Sequence, residues 1–168
     1  VLMTGENAGK QSGPPTDKAR VGLLLAAGNQ GILAFADALH MLFVENMTVV
    51  VKHNPVRAYN HTYMQRIFAP LISDGFFVSV LGGIDESKAL LASPLVDHVH
   101  ITGGKSTHDA IVWGTPSATE QRVVNRLGKP ITSELGSISP YIIGPGNWTE
   151  EELQHHARYA ATVIMNNN

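Results

Sequence analysis

Asn29 lies in Ala26-Ala27-Gly28-Asn29-Gln30-Gly31, where two glycines permit a tight turn after an apolar run. Its amide could donate to a developing oxyanion, or cap the helix that follows. Lys52 ends Val49-Val50-Val51-Lys52 and precedes His53-Asn54-Pro55. An ammonium at a strand edge can meet a ribose hydroxyl or a phosphate, or remain a solvated surface lysine. Gly82-Gly83 follows Leu81, and Gly103-Gly104 follows Thr102 and leads into Lys105. Both pairs would let a pyrophosphate approach the backbone at a helix start, although neither has G-x-G-x-x-G spacing. Glu134, in Thr132-Ser133-Glu134-Leu135-Gly136, puts a carboxylate at the end of an apolar strand. In a semi-apolar cleft its pKa would rise and it could act as a general base; ion-paired or exposed, it would only end the strand. His98-Val99-His100 sets two imidazoles on one strand face, which could begin a metal site, but no second pair of ligands is evident on a neighbouring strand. His155 and His156 are adjacent on a helix and diverge.

These residues need elements to position them, and the hydrophobic pattern supplies a consistent set. Short β-branched runs at 21–26, 48–52, 76–81 and 96–101 alternate with stretches of helical spacing. The first helix is predicted over 31–44, burying Ile32, Phe35, Ala36, Leu39 and Phe43. The second is predicted over 59–73 through Tyr63, Ile67 and Leu71, with Pro70 ending or bending it. A third, over 85–92, starts at Asp85 as a cap and stops before Ser93-Pro94. A helix over 106–113, strands at 131–134 and 140–143, and a helix over 149–165 begun by Thr149 and three glutamates complete the pattern. Alternation of this kind predicts a three-layer, doubly wound α/β domain over 19–168 with a mostly parallel, Rossmann-like sheet, preceded by a polar lead-in over 1–18. In such sheets ligands sit beyond the carboxyl ends of the strands, where Asn29, Lys52, the glycine pairs and Glu134 all fall.

Composition narrows the function classes. The 168 residues carry 12 Lys plus Arg against 14 Asp plus Glu, so no basic field exists for a nucleic acid or an anionic membrane. The charged share of 15% is below the roughly 25% usual for soluble domains, which suggests surface destined for an interface. There is no cysteine, so disulfides, thiolate metal sites and a cysteine nucleophile are excluded within these residues. No apolar run is long enough to span a membrane and no signal-peptide pattern opens the chain, so a soluble, cytoplasmic protein is expected. The chain reads as a piece of a longer one.

In this order, the motifs resemble the cofactor-binding domain of the aldehyde dehydrogenase superfamily. The resemblance runs from about Val21 to Asn168 and rests on Ala27-Gly28-Asn29, Val49-Val50-Val51-Lys52, Leu81-Gly82-Gly83, Val96-Asp97-His98-Val99-His100-Ile101-Thr102-Gly103-Gly104, Glu134-Leu135-Gly136 and Ser139-Pro140-Tyr141-Ile142-Ile143. It implies NAD or NADP as cofactor, bound by Lys52, Gly82, Gly83, Thr102, Gly103, Gly104, Lys105, Leu135 and Gly136. It implies catalytic roles for Asn29 at the oxyanion and Glu134 as general base, with no metal. The family's nucleophilic cysteine would lie beyond Asn168, so this chain alone would bind cofactor without turnover.

Three departures from the family pattern carry expectations of their own. Gly28 replaces an aromatic residue; Lys52-His53-Asn54-Pro55 replaces Lys-Pro-x-Glu and lacks its ribose-binding carboxylate; and Gly104-Lys105 replaces Ser and Thr. A lysine without a neighbouring carboxylate would tolerate a ribose 2′-phosphate better. The partners implied are an aldehyde, the remaining domains of the parent chain and a second copy in a homo-oligomer. The alternatives are a non-catalytic nucleotide-binding or assembly module of the same fold and, from the histidines, a metal-dependent hydrolase.

Overall fold

The computed structural model describes residues 19–114, 125–136 and 141–165, in two compact units, Val1–Gly136 and Ser137–Asn168. The lead-in over 1–18 and most of the polar connection after Trp113 lie outside the described residues.

The first unit is built on five parallel strands: β1 (Val21–Leu25), β2 (Thr48–Lys52), β3 (Phe77–Val80), β4 (His98–Gly103) and β5 (Ile131–Leu135), in the order β3-β2-β1-β4-β5. Leu25 is in register with Lys52 on one side and Ile101 on the other, and Thr102 is in register with Glu134. The connections are α1 (Leu33–Phe43), a 3-10 turn at Pro55–Arg57, α2 (Asn60–Ile67), α3 (Ala69–Ser73), α4 (Ile84–Ala92) and α5 (Lys105–Trp113). The order reverses between β1 and β4, the switch point at which such sheets bind ligands.

Two cores flank the sheet, as parallel strands require cover on both faces. On one face Leu24, Val49, Val51 and Phe77 pack with Ala34, Ala38 and Met41 of α1, Met64 of α2 and Phe68. On the other, Leu23, Leu25, Val99 and Ile101 pack with Leu90 and Leu91 of α4 and Ile111 of α5. The doubly wound α/β class is therefore as the sequence indicates.

The helical faces differ from expectation. In α1 the buried residues are Ala34, Ala38, Met41 and Leu42, whereas Ile32 is 69% exposed and Ala36, Leu39 and Phe43 also face outward; only Phe35 packs partly against the core. Alanines let the helix axis approach the sheet closely, so the small side chains, not the largest ones, set the inner face. In α2, Asn60 and Met64 are buried while Tyr63 and Ile67 are exposed, so the face is turned by one residue. The predicted single helix over 59–73 is two, broken at Phe68, with Pro70 in the first turn of α3, where its missing N–H costs nothing. At α4 the cap is Gly83 rather than Asp85: the Glu86 carboxylate accepts from the Gly83 N–H at 2.6 Å.

The second unit holds α6 (Glu150–Met165). Thr149 N–H donates to Glu152 Oε2 at 2.8 Å and Glu152 N–H donates to Thr149 Oγ1 at 3.3 Å, the reciprocal cap expected there. Residues 141–143 form no strand; Gly144, Pro145 and Gly146 follow at once, and no described strand pairs with them. Pro140 lies outside the described residues.

Candidate functional site at the carboxyl edge of the sheet

Lys52 ends β2 with its side chain on the face covered by α4, opposite to Val51 and His53. It is only 6% exposed. Burial lowers its pKa and the charge of Glu86 opposes that shift, while no described residue accepts a hydrogen bond from its Nζ. Glu86 is in turn held below the usual carboxylate range by the backbone N–H groups at its own position and at Gly83, and by Lys52. Lys52 therefore does have a carboxylate beside it, contrary to the reading from its immediate neighbours. It comes from α4, where local spacing could not reveal it. Gly82 has φ 154°, and a Cβ there would lie 2.5 Å from Glu86 Cγ, so this glycine gives the glutamate its room.

Gly103 and Gly104 end β4 and open α5 on the same side of the sheet. No side chain caps α5, so its first N–H groups face outward from the strand ends, whereas Glu86 already occupies the corresponding place on α4. A Cβ at Gly103 would touch only Ile101, at 3.8 Å. Lys105 donates to Asp109 one turn on, and His108 Nδ1 is 3.2 Å from the same carboxylate, so its cation is compensated within the helix.

Asn29 does not cap α1, whose N-terminus has no side-chain cap. Its Oδ1 accepts from Gln30 N–H at 3.0 Å, which leaves Nδ2 as the outward donor. The loop carrying it is clamped by residues the sequence did not single out. Arg57 Nε donates to Gly28 O at 3.0 Å and Nη2 donates to Asn29 O, and Asn60 Nδ2 donates to Gly31 O at 3.0 Å. A Cβ on Gly28 would stand 2.7 Å from Asn54 Nδ2, so Asn54 occupies the space where an aromatic side chain would begin. No spacing signal marks Arg57, because its partners lie in a different connection.

Glu134 is exposed on the edge strand β5 beside Thr102. Leu135 is partly buried, and Gly136 N–H donates to Gly103 O at 3.0 Å, which extends the β4–β5 ladder. The site residues thus share one sheet edge, Lys52 on β2, Asn29 after β1, Thr102–Gly104 on β4 and Glu134 on β5. At about 4.8 Å per strand, Lys52 and Glu134 are three spacings apart, roughly 14 Å. His98 and His100 bond to threonines, and among the described residues no three His, Asp or Glu side chains converge as a metal set.

His53, on the opposite face to Lys52, is 1% exposed. Its Nε2 is 2.8 Å from Ser79 Oγ, which is also 2.8 Å from His61 Nδ1, while its own Nδ1 is buried without a described partner. Burial first, then the neighbouring His61 and Lys52, push its pKa down to about 4. Unfolded, the ring titrates near ~6.5. The stabilisation from keeping it neutral is full above about pH 6.5 and is lost as pH falls from there through about 4, on the order of 3 kcal/mol. Urea midpoints measured across that window should fall more steeply for the native chain than for His53→Gln; equal slopes would exclude His53 as a source of acid sensitivity.

No family model matches the chain, and no curated protein matches it. Among solved structures it is similar to succinic semialdehyde dehydrogenase from Streptococcus pyogenes in complex with NADP+, at a TM-score of 0.53 and 16% identity over 73% of this chain. The chain spans 27% of that enzyme's length. At this identity the likeness is one of fold.

Proposed function

We propose that this sheet edge is the NAD(P)-binding cleft of an aldehyde dehydrogenase-like oxidoreductase. The observation that carries the proposal is Lys52, a residue 6% exposed at a strand end, with no described acceptor for its Nζ. Burial disfavours its charged form, and a ligand that brings an acceptor to the ammonium offsets that cost. The uncapped start of α5 and the open backbone at Gly103 and Gly104 suit phosphates, and Gly82, Gly83 and Glu86 suit a ribose beside Lys52. The solved structure of similar fold is one in complex with NADP+.

In this reading Lys52 binds the adenosine ribose, and Leu135 and Gly136 flank the nicotinamide. When bound, the nicotinamide supplies the hydride acceptor. Asn29 Nδ2 donates to the oxyanion that forms as a thiolate from outside these residues attacks the aldehyde. Glu134 takes a proton from the attacking water in the second half of the reaction. The partners are an aldehyde, the rest of the parent chain and a second copy of it, in the cytoplasm.

A non-catalytic nucleotide-binding module is the second reading, favoured by the exposure of Glu134. It shares the cofactor cleft and differs only in the chemistry. Calorimetric titration of the folded chain with NAD and with NADP tests the common part: saturable binding of either is expected, and absence of both overturns it.

A further inference from the structure

The face of β4 and β5 turned toward α1 carries a continuous polar ladder, of which Thr102 alone belongs to the candidate cofactor site. Thr102 Oγ1 donates to Asp37 Oδ2 at 2.8 Å. His100 Nε2 lies 3.2 Å from Thr102 Oγ1, and His100 Nδ1 lies 2.8 Å from Thr132 Oγ1. His98 Nε2 lies 3.0 Å from the same Thr132 oxygen. Thr132 of β5 bridges the two β4 histidines because it is in register with His100, and residues 98, 100 and 102 share a strand face.

The carboxylate fixes the direction of every bond. An ionised carboxylate only accepts, so the single hydroxyl proton of Thr102 is committed to Asp37. His100 Nε2 must then carry the proton it shares with Thr102, because two lone pairs would otherwise face each other. Its Nδ1 is left as an acceptor, so Thr132 donates to it, and His98 Nε2–H donates to Thr132 by the same argument. Direct contact of His100 Nε2 with Asp37 Oδ2, at 3.8 Å, is too long to compete.

We propose that His98, Thr132, His100, Thr102 and Asp37 form a one-way proton wire running from His98 to the β1–β4 crevice. A proton taken from solvent at His98 Nδ1 releases the Nε2 proton to Thr132. Thr132 passes its own to His100 Nδ1, His100 Nε2 passes one to Thr102, and Thr102 passes one to Asp37 Oδ2. Each intermediate group gains and loses one proton, and the net change is one proton taken up at His98 and one negative charge removed at Asp37. Glu134 lies beside Thr102 at that end of the wire, and only this destination rests on the function proposed above.

Burial holds both rings below the ordinary imidazole range, so both imidazoles are neutral at rest above pH 7. Asp37 and Glu134 oppose that shift at His100 and His40 adds to it. At His98, Glu45 opposes it, and His100 and Arg20 add to it.

Long-range proton–nitrogen NMR of the 168-residue chain labelled at histidine reads the tautomers directly. At pH 7.5 His98 and His100 should both appear as the Nε2–H form. Asp37→Asn can donate to Thr102 and so reverse the chain, and His100 should then gain Nδ1–H population. Thr132→Val should uncouple the two titrations. A native His100 in the Nδ1–H form, or tautomers indifferent to Asp37→Asn in a folded variant, overturns the wire; if that variant does not fold, the native tautomers decide alone. These spectra do not depend on NAD or NADP, so tautomers as expected with no cofactor binding would sink the dehydrogenase reading and leave the wire standing.

Discussion

Lys52→Met should weaken binding of NAD or NADP by tenfold or more, about 1.4 kcal/mol at the least, while leaving the fold as stable as before or slightly more so. The two halves of this expectation have one cause. The lysine stem is packed at 6% exposure and methionine preserves most of its length, so no cavity opens. The ammonium, by contrast, is desolvated in the fold, opposed only by the field of Glu86. Removing it relieves that desolvation and deletes the cation offered to the ligand. Calorimetric titration beside a thermal melt reads both quantities. Equal binding by the native and variant chains would place the cofactor elsewhere. A loss of binding together with a collapse of the melt would make Lys52 a structural residue.

Phe77→Ala should cost about 3–5 kcal/mol, a large part of the 5–15 kcal/mol by which domains are usually stable. Phe77 is fully buried on β3, its ring stacked on Phe68 at 4.5 Å between centroids, and Phe68 stacks on Phe35 of α1 at 6.2 Å. The three rings join an edge strand, the break between α2 and α3, and α1. Truncating Phe77 removes the innermost ring and leaves a void that a strand paired on one side only cannot close. An unfolding free energy from denaturant titration lowered by less than about 1 kcal/mol would show that the layer collapses around the gap.

The strands were legible because β-branched runs between glycines and prolines are a local signal, and Val21–Leu25, Thr48–Lys52 and Ile131–Leu135 fall almost where the pattern puts them. Helix faces were less so. Ala34 and Ala38 carry little hydrophobic weight, yet their size seats α1 on the sheet, while the heavier Ile32 and Phe43 point away. The stretch 140–143 had a strand's composition, yet its described residues 141–143 form no strand.

At the site, Lys52 and the glycine pairs announced themselves through their place after apolar runs. Arg57, Glu86 and Asp37 did not, because each acts on a residue from another connection. Arg57 reaches Gly28 across 29 positions and Thr102 reaches Asp37 across 65. No periodicity within one element encodes such pairs; they follow from strand order.

The same strand order governs the assembly of the chain during synthesis. β1 lies at the centre of the sheet, yet its two neighbours are made at very different times. β2 follows after one helix, whereas the bond from Val21 N–H to Asp97, beside β4, closes a loop of 76 residues. A nascent chain can pair β1 with β2 and β3 while half of the central strand still offers its N–H and C=O groups to any passing edge. Only when Ile101 has left the ribosome does that exposed side find its partner. The interval before then is the period of greatest exposure to misassociation, and the time when a chaperone would have most to protect.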